Sequence, residues 1–109
     1  MHPEIQELVE LLNATKLLLA KYGETQWSEW LAKDSLLIEN LDLHGVEHLL
    51  SAYGGMGSIN DLLIHPANGH KIQEADVAKV NDELRSLLSK VFTLSKKLYA
   101  EEANTSRRT

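Results

Sequence analysis

The stretch that decides the fold is residues 77–98, VAKVNDELRSLLSKVFTLSKKL. Its apolar residues recur at alternating intervals of three and four, at Val77, Val80, Leu84, Leu87, Val91, Leu94 and Leu98. That spacing places them on one stripe of an α-helix, as in helices that pack against other helices. Acidic residues come early in this segment and lysines come late, which suits the helix dipole. We therefore predict a long last helix from about Glu74 to Glu102.

A second stripe with the same spacing predicts a packing partner for that helix near the amino terminus. Its members are Ile5, Leu8, Leu12, Thr15, Leu19 and Tyr22. They belong to a helix that we predict from Pro3 to Tyr22. Proline at the first helical position and Gly23 after the last one are typical helix ends.

Two shorter amphipathic helices are predicted between these long ones. One spans about 26–40 with Thr25 as its N-cap, and the other spans about 43–53 behind Asp42. The buried face of the first is predicted to consist of Trp27, Trp30, Leu31, Leu37, Ile38 and Leu41. The fold class is therefore mainly all-α, a small bundle of about four helices. It forms a single domain over 1–103, followed by a frayed polar tail at 104–109.

A glycine-rich segment interrupts the helical pattern, beginning at Tyr53-Gly54-Gly55-Met56-Gly57-Ser58-Ile59-Asn60-Asp61. Glycine is used where the backbone needs a positive φ or where another group comes close. We therefore predict an irregular insert at 54–72. Ser58 and Asp61 resemble a capping box, which predicts one helical turn. Asn68-Gly69 is a type I′ turn signal, which predicts a short β-hairpin between 62–65 and 70–72. A short helix ending at Ile64 is the alternative.

The composition limits the classes of function. The chain has 109 residues, no cysteine and a formal net charge of −5, which argues against binding of a nucleic-acid backbone. No apolar run approaches the ~20 residues that span a bilayer, and no signal peptide is visible. We therefore expect a cytoplasmic protein without a membrane or nucleic-acid partner.

The insert carries the residues that a contact surface or a pocket would use. They are Tyr53, Gly55, Met56, Gly57, Ser58, Asn60, Asp61, His65 and His70. Asp61 with His65 or His70 has the groups of an acid–base pair, but no nucleophile is marked beside them. His44 and His48 stand four residues apart, yet their order is not that of the His-Glu-x-x-His zinc motif and no third ligand is marked. We expect no catalytic residue, no metal and no cofactor.

One segment resembles a known family. Tyr53-Gly-Gly-Met-Gly-Ser-Ile-Asn-Asp-Leu62, followed by Asn68-Gly69-His70, is similar to the signature of small bacterial proteins catalogued as a domain of unknown function. The similarity extends from about Leu18 to Leu98 and includes Trp27-Ser-Glu-Trp30-Leu31. It implies a helical fold and a bacterial cytosolic origin. It implies no established activity and no catalytic residues.

These features predict a small interaction protein, monomeric or homodimeric, that uses the insert as its contact surface. The acidic net charge favours a basic protein partner, as for an inhibitor or immunity-type protein. The alternative is a small-molecule or enzymatic module, in which Asn60, Asp61, His65 and His70 would converge in a pocket. A third possibility is that the glycine motif is purely structural.

Overall fold

The computed structural model describes residues 3–54 and 57–108, with side chains described as far as Glu102. Four α-helices follow one another: α1 Pro3–Lys21, α2 Thr25–Glu39, α3 His44–Ser51 and α4 Val77–Arg108. Between α3 and α4 lie three short 3₁₀ turns, Ile59–Asp61, Pro66–Asn68 and Glu74–Asp76. The described residues contain no β-strand. The predicted all-α bundle of four helices is confirmed.

Helix α1 lies between its two largest packing partners, α2 and α4, and α3 connects α2 to α4. Both predicted stripes contribute to the core, in which Leu8, Leu12, Leu19, Leu84 and Val91 are at most 1% exposed. The predicted Leu87 is not part of this core, and Leu88 is buried there instead. An ion pair of 3.0 Å joins Lys97 Nζ near the end of α4 to Glu4 Oε2 at the start of α1. The two long helices are therefore antiparallel, and their stripes pack against each other as predicted.

Gly45 allows α2 and α3 to approach closely. It lies in the first turn of α3 and is buried. A Cβ atom at this position would lie 2.8 Å from Leu37 Cβ and 3.1 Å from the Asp34 carbonyl oxygen. Because such distances are shorter than van der Waals contact, a side chain at residue 45 would push the helices apart. The close approach brings His48, one turn later, against α2.

Helices α1 and α2 end in the same left-handed turn but with different residues. Gly23 follows α1 with φ 83°, and Leu41 follows α2 with φ 62°. In both turns the next residue donates its N–H to the carbonyl five residues back, at 2.9 Å after α1 and 2.8 Å after α2. The prediction that Leu41 is buried is wrong, since its side chain is 64% exposed. The left-handed residue leaves the helical path, so the helical spacing no longer places Leu41 on the buried face.

The starts of α2 and α3 differ from the predicted caps by one residue. Helix α2 begins at Thr25 itself, and Glu24 is the cap, with Oε2 accepting from the Trp27 N–H at 3.3 Å. Helix α3 begins at His44. The Asp42 side chain does act at this end, because its Oδ1 accepts from the His44 N–H at 3.0 Å.

The predicted hairpin in the insert is wrong. A type I′ turn needs positive φ at two successive residues, and here only Gly69 has it, with φ 84°. Hydrogen bonds from side chains close the loop where a hairpin would have the backbone bonds of a β-ladder. His65 Nδ1 accepts from the Ala67 N–H at 2.9 Å, and Asn68 Nδ2 donates to the Leu63 carbonyl at 3.0 Å. The alternative of a helix ending at Ile64 is also wrong, because the first 3₁₀ turn ends at Asp61.

The last helix begins three residues later than predicted, because Glu74–Asp76 form a 3₁₀ turn and α4 starts at Val77. Its backbone remains helical to Arg108. The tail predicted at 104–109 therefore begins within α4, and Thr109 lies outside the described residues.

Candidate functional site

A buried asparagine on α4 holds the middle of the insert. Asn81 is 3% exposed. Its Oδ1 accepts from the Ile64 N–H at 2.8 Å, and its Nδ2 donates to the Ile64 carbonyl at 2.8 Å and to the Val77 carbonyl at 2.8 Å. The side chain thus satisfies both backbone groups of Ile64, whose own side chain is fully buried. An irregular segment is thereby fixed to a rigid helix.

A buried histidine ties the end of the insert to the corner between α1 and α2. His70 Nδ1 accepts from the His65 N–H at 3.1 Å, so its proton lies on Nε2, 3.0 Å from Glu24 Oε1. Beside this bond, the Lys71 N–H donates to the Tyr22 carbonyl at 2.9 Å. The His70 side chain is only 5% exposed, and both ring nitrogens have partners. His70 is therefore a structural tie.

The first half of the insert is folded around its own polar side chains. Gly54 and Gly57 have φ of 91° and 81°, which favours glycine at both positions. The Gly54 N–H donates to Asn60 Oδ1 at 3.2 Å, and the Gly57 N–H donates to Asp61 Oδ2 at 3.1 Å. Ile59 is fully buried and anchors the segment in the core. The two polar side chains thus stabilise the loop backbone.

Three further predicted site residues lie in the same segment. Ser58 Oγ donates a short hydrogen bond to Asn60 Oδ1. Gly55 and Met56 lie outside the described residues, so their predicted part in a contact surface stays a prediction.

Beside this segment, a surface groove opens between the end of α3 and α4. It encloses about 510 Å³ and is lined by Leu50, Tyr53, Gly54, Asn60, Arg85, Leu88, Ser89 and Phe92. Its lining is mainly apolar. The rings of Tyr53 and Phe92 are 4.8 Å apart, and Tyr53 Oη donates to the Leu88 carbonyl at 2.8 Å. Burial raises the pKa of the Tyr53 hydroxyl well above its ordinary range.

Two cationic side chains lie in the groove or beside it. Arg85 is one of the lining residues, and no ion pair to it is found among the described residues. Lys96 Nζ lies 5.3 Å from the centre of the Phe92 ring. Residues 85, 89, 92 and 96 share one face of α4 by their spacing. The groove therefore combines an apolar floor with positive charge along one wall.

The structure distributes the predicted site residues over three places. Tyr53 and Asn60 line the groove. Asp61 is exposed in the loop. The His65 N–H donates to His70 Nδ1, and His70 lies beside Glu24, which is 46 residues earlier in the sequence. The polar groups do not converge in one cleft.

The sequence did not lead us to predict the α4 wall of the groove. Leu88 and Phe92 form a second apolar pair on α4, outside the predicted stripe and on the same side of the helix as Arg85 and Ser89. The pair was the one feature of the sequence that could have indicated this wall of the groove. The pair does not show by itself which neighbouring element leaves it uncovered.

A second cluster, formed by Asp34, His48 and Trp30, was also missed. Asp34 is fully buried on α2, and its Oδ1 makes a short hydrogen bond with His48 Nδ1. The His48 ring stacks on Trp30 with centroids 4.1 Å apart and planes at 15°, and 35% of the His48 side chain remains exposed. Burial raises the pKa of Asp34, and the bond to His48 opposes that rise. The pair is separated by 14 residues, so no local motif marks it.

These observations define a small all-α domain with a pinned insert and a surface groove beside it. Residues 20–73 match the family described as "Domain of unknown function (DUF6966)". The predicted resemblance to an uncharacterised domain family is thereby confirmed. The match is shorter than the predicted span of 18–98, since it leaves out α4 and most of α1. No curated protein and no solved structure matches the chain. Within the described part of the chain, every helix is too short or too polar to cross a bilayer.

Proposed function

We propose that this protein is a protein-interaction module whose groove receives apolar side chains of a partner. The observation that carries the proposal is the groove of about 510 Å³ that the end of α3, the insert and α4 form together. Its volume is within the roughly 300–1,000 Å³ of pockets that bind small molecules, which gives room for several apolar side chains of a partner. Tyr53 and Arg85, which both line the groove, belong to the residue types that are enriched among the anchors of protein interfaces.

The insert forms one rim of the groove, and its ties hold that rim in place. The Gly54 N–H donates to Asn60 Oδ1 within the rim, Ile59 beside Asn60 is fully buried, and Asn81 fixes Ile64 to α4. A rim that is fixed before binding loses little conformational entropy when a partner docks. The internal bonds of the insert thus support a contact role, although the polar side chains themselves do not line a pocket together.

The charges at the groove select the kind of segment that it accepts. Arg85 can form paired hydrogen bonds with a carboxylate, and Lys96 adds positive charge on the same face. The net charge of −5 favours a basic partner overall. Because salt screens charges beyond about 8–10 Å, the local cations decide what enters the groove. We therefore expect an apolar segment with at least one Asp or Glu.

The alternative function, a small-molecule or enzymatic pocket in the insert, receives less support. It required Asn60, Asp61, His65 and His70 to converge. Only Asn60 lines the groove, whereas His70 and Asp61 bond to the protein's own groups. Bacterial origin and a cytoplasmic location remain expectations from the resemblance.

A displayed peptide library tests the proposal without knowledge of the natural partner. The wild type, Arg85→Glu and Lys79→Glu are immobilised as three baits. Lys79 is exposed on α4 but does not line the groove, so its variant carries the same charge change elsewhere. We expect the wild type and Lys79→Glu to select peptides with two or three apolar residues and an acidic one, and Arg85→Glu to lose them. Equal selection by all three baits, or no selection by the wild type, would contradict the proposal.

A further inference from the structure

Two histidines on α3 have the same unusual environment, in which a carboxylate bonds to Nδ1. His44 Nδ1 lies 3.0 Å from Asp42 Oδ1, and His48 Nδ1 makes a short hydrogen bond with Asp34 Oδ1. Neither Nε2 atom makes a hydrogen bond among the described residues. A carboxylate on Nδ1 holds the proton there and leaves the Nε2 lone pair available. This is the arrangement in which imidazoles bind metal ions in proteins.

The two residues lie about one turn apart on α3. His44 and His48 are four residues apart on one helix, so they lie one above the other on the same face. The His48 ring lies against Asp34 and Trp30 of α2, and 35% of its side chain remains exposed and available to a ligand. The segment His44-Gly-Val-Glu-His48 also has the H-x-x-E-H order of one class of zinc site.

We propose that His44 and His48 bind one divalent transition-metal ion of the zinc class through their Nε2 atoms. The described residues hold no cluster of three His, Asp or Glu side chains that would enclose an ion. The protein thus supplies two ligands, and water completes the coordination. An open site of this kind binds a metal without the closed shell of a structural zinc site.

Packing around His48 supports a site that is formed in advance. Asp34 is fully buried and fixes the ring from one side, and Trp30 stacks on its face. The ring therefore has little rotamer freedom to lose on binding. Asp42 and the exposed Glu47 add negative charge beside the two imidazoles, which attracts a cation.

Zinc titration of the full chain tests the site by calorimetry together with long-range ¹H–¹⁵N spectra of the imidazoles. The spectra show which ring nitrogen of which histidine binds. The main variant is His44→Ala, because the His44 side chain is 84% exposed and its removal should leave the fold intact. Asp42→Asn retains an oxygen that can cap α3 but removes the charge behind His44. His65→Ala is the matched control, and melting curves are recorded for every variant.

We expect one Zn²⁺ per chain, with the Nε2 signals of His44 and His48 shifting together. His44→Ala should weaken binding at least tenfold, Asp42→Asn should weaken it about tenfold or more, and His65→Ala should leave it unchanged. Absence of binding by the folded wild type would overturn the proposal. Binding that shifts only other histidines, such as His2 or His65, would overturn it equally.

Discussion

Replacement of Asn81 by leucine removes the hydrogen bonds that fix the insert to α4. The loss of free energy of unfolding can be calculated from the groups that these bonds satisfy. The change leaves the N–H and the carbonyl of Ile64 without their partners, both at 2.8 Å in the wild type. An unsatisfied buried backbone group costs about 1–3 kcal/mol. Two such groups therefore lower the free energy of unfolding by about 2–6 kcal/mol. Leucine has the same number of side-chain heavy atoms and the same branch at Cγ, so the substitution leaves no cavity.

Urea unfolding measures the total loss, and amide hydrogen exchange shows where it occurs. We expect the Ile64 amide to exchange much faster in Asn81→Leu than in the wild type. The protection of the Leu12 amide in the core should fall only by the amount that the global loss of stability accounts for. Asp82→Leu is the control, since residue 82 is exposed one position along α4 and should change stability by no more than about 0.5 kcal/mol. If Asn81→Leu unfolds within about 0.5 kcal/mol of the wild type, the bonds to Ile64 do not hold the insert, and our reasoning is refuted.

Three further predictions concern the backbone and one buried hydroxyl. Leu41→Gly should raise the free energy of unfolding, measured by thermal unfolding, by about 1 kcal/mol, because it relieves a left-handed leucine whose side chain is mostly exposed. Gly23→Ala, in the equivalent turn after α1, should lower the free energy of unfolding. A Leu41→Gly variant that is less stable than the wild type would contradict this prediction. Gly45→Ala should lower the same free energy by about 1–3 kcal/mol, since the added Cβ would lie 2.8 Å from α2; unchanged urea unfolding would show that the helices adjust freely. In alkaline titration of tyrosinate absorbance, the last of the three tyrosines to ionise should disappear in Tyr53→Phe. Because burial raises the pKa of Tyr53, the folded state retains a proton that the unfolded state loses above about pH 10, so wild-type stability should fall there more steeply than that of the variant.

The long helices could be predicted because their stripes are local patterns. Residues such as Leu12 and Leu84 repeat at helical spacing, and that periodicity alone places them in the core. The insert could not be predicted in the same way. Its path depends on Asn81, which lies 17 residues beyond Ile64, and on Glu24, which lies 46 residues before His70.

The hairpin prediction failed for a related reason. Asn68-Gly69 favours a hairpin turn when two strands can pair, but the side chains of His65 and Asn68 satisfy the local backbone first. The groove and the Asp34–His48 pair arise only where α3 meets α4 and α2. Such contacts between elements leave no periodic signal in the chain.

The most direct test of the proposed contact surface is site-specific photo-crosslinking in cells that naturally contain the protein. A photoreactive phenylalanine analogue replaces Ser89 on the groove wall, or Lys79 on the same helix outside the groove. Each substitution is made with and without Arg85→Glu, and each variant must melt as the wild type does. We expect a discrete protein adduct from position 89 that Arg85→Glu abolishes, and none from position 79. No adduct from position 89, or the same adduct from both positions, would contradict a partner-binding role for the groove.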